Sequence, residues 1–198
     1  MRLAIRTAFV TAAAAASALG LGVASANAAG WTATPTGAFT ASSSNVSMAD
    51  GSISAKCSST ASGTLQDSSN IGTISSISFP QSSCSSAVGS PTVTATTPWQ
   101  LEAVSYDSSS GVTTGYIDDI KASVSLLGCN FTVSGSAGAT YTNGSGTLAV
   151  ATDSSHGLKV TSASGLLCTG LISVGDSVSF TADYAVSTSG GAPVISES

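Results

Sequence analysis

The chain has 198 residues, enough for one domain or two small lobes with a real core. It carries ten acidic residues and five basic ones, and only three lysines (Lys56, Lys121 and Lys159) lie beyond residue 28. The chain therefore lacks the cluster of basic residues with which proteins bind nucleic acids or anionic membrane surfaces. Charged residues make up 8% of the sequence, while Val, Ile and Thr are abundant, which favours pleated sheet over disorder.

Residues 1–28 have the pattern of a secretory signal peptide. Arg2 and Arg6 precede an apolar run over residues 8–24, and Ala26-Asn27-Ala28 supplies the small-x-small cleavage pattern. The alternative is an uncleaved membrane anchor, but the run is rich in alanine and is broken by serine and glycine. It is also shorter than the ~20 strongly apolar residues that cross a bilayer. We expect cleavage near Ala28 and a secreted, extracellular bacterial protein with no membrane span in the mature chain.

Alternation of apolar and polar residues predicts strands along the rest of the chain. The clearest case is residues 177–186, where Val178, Phe180 and Tyr184 share one face. Residues 120–126 and 99–103 repeat the pattern. Shorter candidates cover residues 52–57, 63–66, 73–79, 92–96, 112–116, 131–134, 146–151 and 158–162. No stretch beyond residue 28 combines helix caps with apolar residues at a spacing of 3.6.

Many short strands of this kind predict an all-β fold, specifically an antiparallel β-sandwich, Ig-like or jelly-roll-like. We expect it to cover residues 39–187, between a flexible lead-in at 29–38 and a flexible tail at 188–198. The strongest hairpin signal is Asn143-Gly144, because both residues tolerate the positive φ that a type I′ turn needs.

The four cysteines allow three pairings in an oxidising compartment. A faint internal repeat favours Cys57–Cys84 and Cys129–Cys168, since each bond then closes one unit of the repeat. In that case the domain consists of two related β-meanders, although chance similarity between Ser/Thr-rich strands is an equally good explanation. A zinc or redox site is disfavoured because Cys-x-x-Cys is absent.

The candidate residues for catalysis form no recognisable motif. His156 is the one histidine and lies in a Ser/Gly-rich loop, and the Gly-x-Ser-x-Gly nucleophile motif is absent. Asp118 and Asp119 are adjacent in a predicted strand, so they should point to opposite faces. Glu102 and an aspartate would form a glycosidase pair only if the fold brought them together. We therefore expect no catalytic residues, cofactor or metal site, and predict that the protein is not an enzyme.

The two tryptophans, Trp31 and Trp99, are the candidate ligand platform. Trp99 follows Pro98 and opens an alternating strand, so core packing is its default role. Exposed on a sheet face, either indole would offer a surface for sugar rings.

Several short motifs, taken in order, resemble a known family. They are Phe39-Thr40-Ala41-Ser42 before the strand to Cys57, the segment Pro98-Trp99-Gln100-Leu101-Glu102-Ala103, and Leu127-Gly128-Cys129. Together they resemble small secreted bacterial proteins of the activator-of-alkane-oxidation family and related uncharacterised secreted proteins of actinobacteria. The resemblance implies an exported, non-enzymatic protein linked to the cell surface or to apolar substrates. The family has no catalytic residues that could be assigned to positions of this chain. Only the cysteine framework and Pro98-Trp99 match the family.

These observations favour a secreted structural or interaction protein acting at the cell surface, in the extracellular matrix or at hydrophobic interfaces. Its partners would be other surface or matrix proteins. A glycan-binding module is the second hypothesis, and a secreted hydrolase is the third.

Overall fold

The computed structural model describes residues 30–51 and 53–198; the predicted signal peptide lies outside them. Thirteen strands and two single-turn 3-10 helices, Gln81–Ser83 and Leu166–Cys168, make up the described chain. The strands are β1 Trp31–Thr34, β2 Gly37–Asp50, β3 Ile53–Leu65, β4 Asn70–Ser78, β5 Ser85–Ser86, β6 Thr92–Ala95, β7 Trp99–Asp107, β8 Val112–Leu126, β9 Cys129–Thr142, β10 Thr147–Ala151, β11 Leu158–Ser164, β12 Ser177–Thr188 and β13 Val194–Glu197. Within the described ranges, no helix has the length and apolar character needed to cross a membrane.

The main sheet is antiparallel and closes on itself, which corrects the predicted two-sheet sandwich. Its ring runs β2-β3-β4-β7-β8-β9-β11-β12 and returns to β2. Closure depends on the long pairing of β8 with β9, from Val112↔Thr142 to Leu126↔Cys129. Alternation along a strand shows which face is buried but not which strands pair at the edges, so a sandwich and a barrel look alike in sequence.

Two short strands complete the barrel at different levels. β10 takes the place of β11 between β9 and β12 at one end, where Thr147 pairs with both Thr142 and Ala185. β6 pairs with the last part of β8 at the other end and bridges to Phe79 beyond β4. An interior of about eight strands is just wide enough to be filled by side chains or to hold one small ligand.

The inward-facing residues follow the predicted alternation. In β12, Val178, Phe180, Ala182 and Tyr184 are buried and their neighbours are exposed. An irregularity in β8 explains why alternation predicted two separate strands, residues 112–116 and 120–126, where the structure has one. The pairing shifts between Ile117 and Ile120, so both isoleucines point into the core.

The chain ends depart from the predicted flexible lead-in and tail. β1 and β13 pair over four residues, from Trp31↔Glu197 to Thr34↔Val194. Trp31 and Ile195 are buried, so apolar contact holds this ribbon against the barrel. We call this end of the barrel, where β1 and β13 lie, the covered end.

Polar contacts fix the ribbon to turns at the covered end. The backbone N–H of Ile195 donates to Asn143 Oδ1, and Asn143 Nδ2 donates to the carbonyl of Ile195, both at 2.8 Å. Tyr141 Oη donates to the carbonyl of Pro193 at 2.6 Å, and burial raises the pKa of Tyr141 to about 12. The Asn143-Gly144 hairpin is present, but its loop has four residues, 143–146, instead of the predicted two. Asn143 serves as a contact to β13 as well as a turn residue.

Both disulfides lie toward the opposite end. Cys57 joins Cys84, and Cys129 joins Cys168, which is the pairing that the internal repeat favoured. The strands of both repeat units belong to the same barrel. Each bond holds one non-strand segment, the stretch around Gln81–Ser83 or the stretch around Leu166–Cys168, against the wall.

Candidate functional site: an apolar cavity at the open end

His156 and Asp153, the candidate residues for catalysis, lie in a turn and form no arrangement of nucleophile and base with other described residues. Asp153 Oδ1 accepts hydrogen bonds from the backbone N–H groups of His156 (2.8 Å) and Ser155 (2.7 Å), and these bonds lower the pKa of Asp153. The His156 ring stacks on Tyr116 with centroids 4.6 Å apart, and its Nδ1 is 3.6 Å from Asp153 Oδ1. Asp153 thus acts as the acceptor of a tight turn, and His156 packs on the barrel wall.

The positions of Asp118 and Asp119 differ from the prediction that the two side chains point to opposite faces of a strand. Asp118 and Asp119 fall within the irregular stretch of β8, where Asp119 has a φ of 56°, and both are exposed. They do not alternate between faces, because the added residues break the period of two. Glu102 lies on the neighbouring strand. Burial, and then the charge of Asp118, raises its pKa, while a hydrogen bond with Asn70 lowers it. In residues 30–51 and 53–198, no cluster of three or more His, Cys, Asp or Glu side chains is placed to hold a metal ion.

Both tryptophans are buried, Trp99 at 4% exposure and Trp31 at 5%. The indole Nε1 of Trp99 donates to the carbonyl of Thr96 at 2.9 Å. Neither ring is therefore available as the exposed platform that sugar stacking would need, and their roles are in packing.

An apolar cavity of about 290 Å³ lies inside the barrel, and we call it the barrel cavity. Two smaller pockets, of about 30 and 60 Å³, lie among the residues toward the covered end. Trp99 and Phe180 line both the barrel cavity and the pocket of about 30 Å³, so their side chains lie between these two spaces. Ala55 and Ala122 also line the barrel cavity. Small residues at inward positions leave the volume unfilled.

The lining of the barrel cavity has almost no polar group. Among the described residues that line it, Asp50 is the one ionisable side chain, and none of the three described lysines nor His156 faces the space. Other lining side chains include Met48, Ile53, Phe79, Val133, Leu158 and Ile172. A lining of this kind offers water few hydrogen bonds and therefore favours apolar molecules over water.

The barrel cavity lies at the end of the barrel away from β1 and β13, which we call the open end. Three loops surround it: the turn from β2 to β3 at Asp50, the turn from β8 to β9 at Leu127-Gly128, and the segment from Leu166 to Asp176. The backbone of Gly165, with a φ of 115°, lies so close to the Gly128 carbonyl that no Cβ fits there. The third loop is therefore packed directly on the second.

Exposed apolar side chains concentrate on these loops and on the segment before β6. Leu166 is 94% exposed and Leu127 is 57% exposed. Four members of the set also line the barrel cavity, so the exposed surface and the interior are continuous. We call the set the apolar rim: Val88, Leu127, Leu166, Leu167, Leu171 and Val174.

Leu127 occupies a backbone position that leucine disfavours. Leu127 and Gly128 form a two-residue turn, with φ values of 52° and 80°, between the paired residues Leu126 and Cys129. Asn, Asp and Gly are the residues that suit such a turn, and the left-handed conformation costs other residues about 1–2 kcal/mol. The side chain that bears this cost is an exposed leucine at the mouth of the cavity.

Sequence reasoning missed the apolar rim, although a signal for it was present. Leu127, Leu166-Leu167 and Leu171 stand in Gly-, Ser- and Thr-rich stretches between strands, where polar residues are usual. Apolar residues in turns point to a surface that contacts something other than water.

Fold and site together define a disulfide-bonded antiparallel barrel with one covered end and one open, apolar end. The model of the family described as alkane oxidation protein activator PraA/PraB-like matches residues 3–185. The chain belongs to this family, as its sequence motifs suggested. No curated protein and no solved structure matches the chain.

Proposed function

We propose that the protein is exported and works outside the cell as a non-enzymatic protein that attaches to hydrophobic interfaces through the apolar rim. The observation that carries this proposal is the apolar rim itself, which surrounds the mouth of an apolar cavity. Contiguous exposed apolar surface on a protein marks a contact with an apolar partner. The activator description of the family fits a role in presenting apolar material without transforming it.

Export is supported by the signal-like first 28 residues and by the two disulfides, because such bonds persist in oxidising compartments. The chemistry of the open end also supports a non-enzymatic role. The described lining of the barrel cavity combines aliphatic and aromatic side chains with a single carboxylate, which supplies no pairing of nucleophile and base. Trp31 and Trp99 do not support a glycan-binding role, because both side chains are buried.

The test is equilibrium binding to hexadecane droplets, measured by depletion of protein from the aqueous phase. We expect the variant Leu127→Asn/Leu166→Gln/Leu171→Gln to bind more than about tenfold more weakly than the native protein. Each of these exposed leucines contributes at least about 1 kcal/mol to the free energy of binding when the oil buries it. Folding should be retained, since Asn suits the turn position that Leu127 occupies.

The matched control is Val104→Thr/Val194→Thr, which removes two exposed apolar side chains that lie outside the apolar rim. This variant should bind droplets like the native protein. Equal loss of binding in both variants would show that adsorption is unspecific, and unchanged binding of the rim variant would overturn the proposal.

A further inference from the structure

The side chains that line the barrel cavity offer almost no hydrogen bond to a ligand. In residues 120–126 and 177–182, the serine and threonine side chains are exposed, and the apolar residues between them face inward. Among the described lining residues there is no serine, threonine, asparagine, glutamine, tyrosine, lysine, arginine or histidine. The polar groups of Trp99 and Cys129 are already engaged, in a hydrogen bond to a backbone carbonyl and in a disulfide.

Asp50, the remaining polar residue of the lining, lies at the mouth of the barrel cavity, at the end of β2. Its Oδ2 atom is buried and therefore does not face the free space. Burial, and then the charge of Asp176, raises the pKa of Asp50, so a second acidic group lies close to it. Two acidic residues at the mouth would repel an anionic head group.

A polar group on the ligand is unfavourable at both positions that it could take. Inside the barrel cavity it would give up its hydrogen bonds with water and find no replacement. At the mouth it would lie among the leucines of the apolar rim. A molecule that consists of carbon and hydrogen alone avoids both costs, and its burial removes apolar surface from water.

The volume of the barrel cavity limits the size of the ligand. Since an engineered cavity of ~150 Å³ holds one benzene molecule, about 290 Å³ holds on the order of ten to twelve carbon atoms. Trp99 and Phe180, which lie between this cavity and the next pocket, form its inner end. The exposed apolar rim is continuous with the mouth and provides a path from an oil surface to the interior.

We infer that the barrel cavity binds one molecule of a hydrocarbon that carries no polar group, on the order of ten carbon atoms long, wholly inside the barrel. This inference rests on the proposed function, because the apolar rim brings the protein to the apolar phase from which the ligand enters. It adds the class and the size of the molecule that the same end of the barrel takes up. Binding is reversible and involves no covalent step.

The first experiment compares four ligands that share a heptyl chain and differ in the group at its end: octane, 1-heptanol, heptylammonium and octanoate. Headspace gas chromatography measures binding of the two volatile ligands to the native protein, and titration calorimetry measures the two ions. We expect octane to bind at least about thirtyfold more tightly than each of the others, because their end groups find no partner. A ratio near fourfold between octane and 1-heptanol, the contribution of one methyl group, would overturn the inference. It would show that the cavity takes the chain of a lipid whose head group stays in water. Heptylammonium binding as tightly as octane would also overturn it, because the acidic mouth would then be a head-group site.

The second experiment measures how affinity depends on chain length, from pentane to hexadecane. Affinity should rise by roughly fourfold per CH₂ group among the short alkanes and stop rising beyond about twelve carbon atoms, when the cavity is full. A rise that continues unchanged to hexadecane would place the chain on the outer surface and contradict binding inside the barrel.

A cavity-filling variant separates this inference from the proposed function. Ala122 is buried on the cavity wall and is not part of the apolar rim, so Ala122→Phe should bind octane at least about tenfold more weakly and still adsorb to hexadecane droplets. Ser123→Ala, at the exposed neighbouring position, is the matched control and should bind octane like the native protein. If Ala122→Phe does not fold, the two comparisons on the native protein decide. Absence of octane binding to the native protein, with droplet adsorption that still depends on the apolar rim, would overturn this inference and leave the proposed function standing.

Discussion

Replacing Trp99 with alanine is expected to lower the free energy of unfolding by about 3–5 kcal/mol, as large-to-small changes of buried aromatic residues do. Trp99 is 4% exposed, opens β7, and lies where the barrel cavity meets the next pocket toward the covered end. Removing the indole also leaves the carbonyl of Thr96 without the donor that it has at 2.9 Å. Denaturant titration followed by circular dichroism measures the change.

Val104→Ala is the control for this measurement, because Val104 lies on the same strand and is exposed. It should change stability by less than about 0.5 kcal/mol. A loss below about 1 kcal/mol for Trp99→Ala would contradict a packing role and reopen the interpretation of Trp99 as a ligand surface.

Removing the bond between Cys129 and Cys168 should have an effect of similar size and a second consequence for function. The two cysteines are 39 residues apart, so in the loop-entropy model the bond contributes about 4 kcal/mol of stability. Cys168 belongs to the 3-10 helix that carries Leu166 and Leu167, and Ile172 and Leu171 donate backbone hydrogen bonds to its carbonyl. The double variant Cys129→Ser/Cys168→Ser should therefore lose stability and also bind hexadecane droplets more weakly, because part of the apolar rim is no longer held in place.

The second disulfide provides the comparison. Cys57 and Cys84 are 27 residues apart, which predicts a contribution of about 3.5 kcal/mol, but their bond holds a different segment. The variant Cys57→Ser/Cys84→Ser should lose comparable stability and, where it remains folded, keep more of its droplet binding. Equal loss of droplet binding in the two double variants would show that general stability, rather than the Leu166–Asp176 segment, governs attachment.

Alternation predicted the strands well where one strand keeps a single phase. Residues 177–186 were predicted and β12 spans Ser177–Thr188, with the expected face buried. The alternation pattern failed at β8, because the irregularity at Asp118-Asp119 changes which positions face the core and makes one strand resemble two. It also missed β13, where only four residues pair and a single side chain, Ile195, is buried.

The barrel and its cavity could not be derived from the sequence, because both depend on long-range geometry. Closure requires β9 to pair with β8 on one side and with β10 and β11 on the other, and no local pattern records such partners. The barrel cavity arises from small residues such as Ala55 and Ala122, which come from distant strands and meet only in the fold. The apolar rim is different, since leucines in turns were visible in the sequence.

The most direct test of an accessible apolar interior is a crystal structure of the native protein under xenon pressure, because xenon enters dry apolar cavities. We expect xenon inside the open end of the barrel, in contact with Ile53, Phe79 and Ile172. A barrel interior filled with ordered water, or one closed by repacked side chains and free of xenon, would contradict an apolar binding cavity.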